Sequence, residues 1–140
     1  MGPLGPGPVA LDTSIFIYFI EEHPTYLPRV LPLFRAAEQG VLTIVTSALT
    51  LLEVLVVPYR RGSDALAQRY EELLTRSCSV RLVEIGRDQL RIAARLRATT
   101  GVRTPDALQL SAALAAGCSA FFTNDRRLPA VPGLRIVTLS

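Results

Sequence analysis

The chain has 140 residues, 49% of them hydrophobic and 6% aromatic, with a formal charge of +3, which is enough for one Leu/Val/Ile/Ala core, too little for a second independent domain, and too apolar for disorder. All 15 basic residues are arginine, which excludes Schiff-base chemistry and a P-loop lysine, although GC-rich coding accounts for the absence equally well. Cys78 and Cys118 have no CxxC or Cys/His spacing and His23 is the single histidine, so neither a zinc site nor a disulfide framework is indicated, and a reducing cytoplasm fits.

The opening Met-Gly-Pro-Leu-Gly-Pro-Gly-Pro lacks a basic n-region and an apolar h-region, so residues 1–8 read as a flexible leader or cloning remnant and 9–140 as a single domain. Val9 to Asp12 reads as a first strand, followed by helices over Ser14 to Glu22 and Pro24 to Gln39, with His23 exposed between them and Gly40 as the stop. Leu42 to Val45 is a second strand. Ser47 then caps a helix through Glu53 that Pro58 ends. The apolar stretch from Val41 to Tyr59 approaches membrane-span length, but it contains Thr43, Thr46, Ser47, Thr50, Glu53 and Pro58, and reads as buried core. A helix over Asp64 to Arg76, a strand over Val80 to Glu84 and a helix from Arg87 to Thr99 follow, the last closed by Gly101. In Thr104-Pro105-Asp106 an N-cap hydroxyl, a first-turn proline and a carboxylate on the positive dipole end start a helix running to Ala116. Ala120 to Thr123 and Arg135 to Thr138 are the last strands. Alternating strands and helices predict a three-layer α/β/α sandwich around a parallel sheet of about five strands.

Asp12 and Asp125 each follow a strand, which puts both at the carboxyl edge where ligands gather in open α/β sheets, yet each alone also reads as a turn former or helix cap. Asp106 alone reads as a favourable first-turn acid. Glu53 differs, because it interrupts Leu51-Leu52-Glu53-Val54-Leu55-Val56-Val57, where a charge without easy access to water needs a cation, a hydrogen-bond cluster or a proton. Four converging acids repel one another unless a multivalent cation sits among them, and oxygen-only ligation suits magnesium or manganese better than zinc. Such an ion activates water and neutralises charge on a phosphate oxygen, as phosphodiester hydrolysis requires.

Four segments in order carry a resemblance: Leu11-Asp12-Thr13-Ser14, Thr46-Ser47-Ala48-Leu49-Thr50-Leu51-Leu52-Glu53-Val54, Thr104-Pro105-Asp106-Ala107-Leu108-Gln109-Leu110, and Phe121-Phe122-Thr123-Asn124-Asp125-Arg126-Arg127-Leu128. From Val9 to the C-terminus the chain resembles the PIN-domain family, and within it the VapC-type toxin ribonucleases of toxin-antitoxin pairs. The resemblance implies that Asp12, Glu53, Asp106 and Asp125 are the catalytic ligands of Mg²⁺ or Mn²⁺. It implies further that Ser14 and Thr123 are hydroxyls orienting ligands or water, where capping is the alternative, and that Asn124 belongs to the site, where an Asx turn before a short helix is the alternative. It also implies an RNA substrate, a cognate antitoxin and homodimerisation, with no membrane role.

Arginine placement agrees with RNA: Arg126 and Arg127 adjoin Asp125, and Arg60-Arg61 end a site-bearing segment. Arg87, Arg91 and Arg95 form a stripe that reads equally as a solvated helix face. The apolar face of Ile15, Phe16, Tyr18 and Phe19 is either core or partner surface. Two alternatives to a metal-dependent endoribonuclease stand beside it. Asp-based phosphoryl-transfer domains also place aspartates at sheet edges, but they use a lysine, and Ser14 stands where the phosphatase motif has a second aspartate. A non-catalytic PIN-like module binding RNA or protein is the other, and the retention of all four acids speaks against it.

Overall fold

The computed structural model describes residues 7–139, so most of the 1–8 leader lies outside the described residues. The Pro8 carbonyl is already tied in, accepting from Ser119 N at 2.9 Å. In chain order the elements are β1 (Val9–Leu11), α1 (Thr13–Ile20), α2 (Leu27–Glu38), β2 (Ile44–Ser47), α3 (Leu49–Arg60), α4 (Asp64–Thr75), β3 (Val80–Val83), α5 (Arg87–Thr100), α6 (Thr104–Ala115), β4 (Ala120–Thr123) and β5 (Arg135–Thr138). All four strand pairings are parallel and the sheet order is β3-β2-β1-β4-β5. The expected three-layer α/β/α sandwich is thus what forms.

Strand alternation divides the core. Val9, Leu11, Ile44, Val80, Ala120 and Phe122 face one layer with buried residues of α1 to α4, while Ala10, Val45 and Phe121 face the other with α5 and α6. Of the Ile15-Phe16-Tyr18-Phe19 face, Ile15 and Phe16 are fully buried and Phe19 stacks on Phe34, so this face is core rather than partner surface, with Tyr18 at its margin. Among the described residues no helix is long and apolar enough to cross a membrane.

Four expected boundaries move. Pro58 lies inside α3 instead of ending it, because it stands one turn from the C-terminus and the chain closes behind it through Arg61 N to the Val57 carbonyl and Ser63 N to the Pro58 carbonyl. Ser47 remains in β2 and Ala48 takes the N-cap position, but the Ser47 hydroxyl still accepts from Leu49 N at 3.1 Å. Thr104 is the first residue of α6, not its cap, and Arg103 holds the cap position in extended backbone. The helix expected from Pro24 begins at Leu27, because His23 Nδ1 accepts from Thr25 N and Tyr26 N and holds that stretch as a turn. His23 is therefore half-buried and structural rather than simply exposed.

α3 also departs from expectation. Its apolar run is not buried all round, since Leu52 is 62% and Tyr59 60% exposed.

Candidate metal centre at the carboxyl edge of the sheet

Because every strand is parallel, all carboxyl ends share one edge, and the order β3-β2-β1-β4-β5 reverses direction between β1 and β4. That reversal opens the crevice where such sheets take ligands. Asp12 follows β1 directly and Asp125 follows β4 after one residue; Glu53 sits early in α3, which leaves β2, and Asp106 is in the first turn of α6.

Asp12 is built in twice. One oxygen, Oδ1, caps α1 by accepting from Ser14 N at 2.9 Å and Ser14 Oγ at 3.2 Å, and Oδ2 accepts from Thr123 Oγ1 at 2.5 Å. Thr123 Oγ1 in turn accepts from Asp125 N at 3.0 Å. Ser14 and Thr123 thus orient Asp12, and the bond from Ser14 N is at the same time the cap of α1.

Glu53 is half-buried, and its Oε1 accepts from Thr13 Oγ1 at 2.6 Å and from Gln109 Nε2 at 3.4 Å. Gln109 Nε2 also donates to Thr50 Oγ1 at 2.8 Å and Thr13 Oγ1 at 3.2 Å. Hydroxyl protons can be assigned by elimination. Thr46 gives its single hydrogen to the Leu11 carbonyl at 2.9 Å, so Thr50 donates across the 2.7 Å contact to Thr46, and Thr13 is left to serve Glu53. In this order both groups that meet Glu53 Oε1 are donors. Sequence reasoning passed over Thr13, Thr46, Thr50 and Gln109. The signal available was a glutamine at a position of α6 where the helix pattern asks for an apolar residue.

Asp125 is held differently. Arg127 grips it in fork geometry, Nε to Oδ1 at 3.0 Å and Nη2 to Oδ2 at 3.4 Å, with Arg127 N also donating to Oδ1 at 2.9 Å. These bonds hold the Asp125 carboxyl below the usual carboxylate range. The segment beyond is turn rather than short helix, and Asp125 makes an Asx turn there by accepting from Arg127 N. The Asn124 amide donates to the Tyr18 hydroxyl at 3.0 Å.

Asp106 reports on the other three. Partial burial raises its carboxyl above the usual range, and the negative charges of Asp125, Asp12 and Glu53 raise it further, against the lowering effect of Arg103. A cavity of about 70 Å³ lies against Asp12, Thr13, Glu53, Asp106 and Gln109. A second, of about 230 Å³, touches Asp106 and Asp125 with Arg103 and Arg127. Arg103, which the sequence reading did not single out, therefore faces the acids. Arg87, Arg91 and Arg95 are all exposed, and Arg91 pairs with Asp88 at 3.1 Å, so this stripe is a solvated face.

Do these residues fit a divalent ion? Among the described residues, no three acidic, histidine or cysteine side chains converge closely enough to form a ready cage. The donor chemistry nonetheless fits: the set is all oxygen, the mutual repulsion registers on Asp106, and the surrounding hydroxyls and amide fix the positions of the Asp12 and Glu53 oxygens. The chemistry of this donor set suits a hard dication.

The model of the PIN domain family matches residues 9–134. Among curated protein sequences no match is found. Solved structures with a similar fold include DNA-bound VapBC from Salmonella typhimurium, with TM-score 0.72 and 18% identity over 95% of this chain and 98% of that one. VapBC2 from Rickettsia felis, bound to a DNA fragment from its promoter, gives 0.71 and 20% over 93% and 97%. Mycobacterium tuberculosis VapC20, a sarcin-ricin loop cleaving toxin, gives 0.68 and 16% over 85% and 91%. At such identities the likeness speaks for the fold, and it agrees with a family match that runs from the first strand almost to the last: the chain belongs to the PIN domain family.

Proposed function

We propose that this protein is a metal-dependent endoribonuclease, organised as a single domain and acting as the toxin of a toxin-antitoxin pair. The observation that carries this reading is the meeting of acids from four separate segments at one sheet edge, each close enough to the others to raise the Asp106 carboxyl. Asp12, Glu53, Asp106 and Asp125 hold Mg²⁺ or Mn²⁺; Ser14 and Thr123 fix Asp12, and Asn124 fixes the neighbouring tyrosine. When bound, the ion activates water for attack on phosphorus and neutralises the charge that builds on the phosphate. Arg127 and Arg126 attract the RNA backbone. The solved relatives of similar fold include VapBC assemblies, and an antitoxin together with a second copy of this chain would cover apolar surface such as Leu52, Val56 and Tyr59 on α3.

The test is cleavage of single-stranded RNA by purified protein, which is expected only with Mg²⁺ or Mn²⁺ and to leave 5′-phosphate and 3′-hydroxyl ends. Full activity in chelator, or a 2′,3′-cyclic phosphate product, contradicts the reading. Asp12→Asn is expected to reduce cleavage to background with the fold intact. Its melting temperature should no longer rise with manganese, whereas binding at a hundredfold excess over Kd stabilises the parent by about 2.7 kcal/mol. RNA binding without cleavage at any metal concentration favours the non-catalytic module instead.

A further inference from the structure

Beside the acids lies an open groove of about 440 Å³ lined by Asp12, Ser14, Tyr18, Asn124, Asp125 and Arg127. Its size falls within the roughly 300–1,000 Å³ of small-ligand sites. Half of its wall belongs to the carboxylate site; the other half has no part in holding a metal. Tyr18 is the unexpected member, an aromatic side chain of the core helix α1 turned to the one edge of the molecule where the acids gather.

Tyr18 is held firmly. Tyr26 stacks behind it with ring centroids 4.7 Å apart, and the His23 ring meets it edge-on at 5.0 Å. His23 is itself pinned by the Thr25 and Tyr26 amides. The Tyr18 hydroxyl accepts from Asn124, the residue immediately before Asp125. The ring is thus fixed by two neighbouring rings and at its tip, so a ligand that meets it finds a surface with little entropy left to lose.

The chemistry of the groove divides into an anion-handling end, with Arg127 and the acids, and an aromatic end, Tyr18. A nucleotide unit presents this same pair of features, a phosphate and a π face. A carboxylate peptide or a free phosphate leaves the ring unused. We propose, resting on the ribonuclease reading above, that Tyr18 is a stacking platform for the nucleobase flanking the phosphate at the acids. Stacking on an aromatic ring tolerates any base, so the platform selects unpaired RNA without reading its sequence. A paired and stacked duplex base cannot reach it.

The experiment uses the full chain carrying Asp12→Asn, so that RNA stays uncut, with single-stranded oligoribonucleotides bearing 2-aminopurine at successive positions. Anisotropy of end-labelled RNA gives affinity, and 2-aminopurine emission reports stacking. Quenching is expected at one or two adjacent positions, with duplex RNA bound at least about tenfold more weakly. Adding Tyr18→Leu is expected to weaken single-strand binding about tenfold and remove the quench. Adding Tyr18→Phe, which keeps the ring, is expected to retain both. Binding with no quench at any position, or equal affinity for duplex, overturns the proposal whatever the variants do. An affinity for Tyr18→Leu within twofold of its parent, with the quench intact, overturns it too. If neither the Asp12→Asn protein nor the parent without that substitution binds RNA at all, the ribonuclease reading fails first and the platform with it.

Discussion

Two acids of the same edge, Glu53 and Asp125, are held in opposite ways. Glu53 leans on neutral donors: Thr13 and Gln109 point hydrogens at one carboxylate oxygen, and the buried Thr50 and Thr46 stand behind them in the same chain of hydrogen bonds. Asp125 is held by a cation, the Arg127 fork, whose side chain is 82% exposed. Neutral donors set the position of a carboxylate and leave its charge for a metal. A guanidinium compensates the charge itself, so the metal ion proposed at Asp125 would have to compete with Arg127. The Glu53 end of the site is therefore prebuilt, and the Asp125 end is exchangeable.

The largest expected effect comes from breaking the prebuilt end. Thr13→Val removes the 2.6 Å donor to Glu53 and is expected to lower Mn²⁺ affinity and cleavage about 10–100-fold, the range for losing a group that orients a metal ligand. Thr13→Ser keeps the hydroxyl and should restore most of both. Calorimetric titration of each variant with manganese checks this, and equal affinities for Val and Ser at position 13 would break the distinction drawn between the two acids.

A smaller effect of opposite sign is expected at the exchangeable end. Arg127→Gln removes the competing cation and should tighten Mn²⁺ binding about two- to fivefold, in keeping with the modest strength of exposed ion pairs. In the same variant RNA affinity should fall and lose some of its salt dependence. Manganese titration and RNA binding across a salt series separate these effects. A weaker metal site in Arg127→Gln would show that the arginine supports Asp125 as a ligand rather than competing for it.

The smallest effect concerns stability and pH. Asp106 has a raised carboxyl, so the folded chain holds that proton more tightly than the unfolded one, and ionised Asp106 is a liability that grows as pH rises from the ordinary carboxylate value through the raised one. Asp106→Asn should therefore melt higher at neutral pH, by about 3 °C or less because the side chain is only half-buried. The gain should vanish below the ordinary carboxylate range. Asp125 behaves inversely: its carboxyl is lowered by Arg127, so the pair's small contribution is present above the ordinary value and is lost as pH falls through the lowered one. Thermal melts of both Asn variants across pH 3 to 7, without metal, resolve the two signs.

The sequence by itself determined the alternation of strands and helices, because hydrophobic period and the Gly and Pro stops are local properties of the chain. The last two strands fall where Ala120 to Thr123 and Arg135 to Thr138 read as strands. It also marked Asp12 and Asp125, because a parallel sheet obliges residues just past a strand to share one edge, while Glu53 stood out by interrupting an apolar run and Asp106 gained its place only from the family resemblance. Tertiary structure decided what holds each acid. Gln109 looks like a polar interruption of an apolar helix until α6 packs beside α3 and α1 and brings it to Glu53, 56 positions away in the chain. Tyr18 reads as one more core aromatic until β4 delivers Asn124 to its hydroxyl across a separation of 106. Arg126 and Arg127 are indistinguishable as neighbours in sequence, and only the turn after Asp125 brings the second of them back onto the carboxylate. Hydrophobic period is written in nearest neighbours, whereas a hydrogen bond between distant residues depends on where packing sets each backbone, and no local pattern records that.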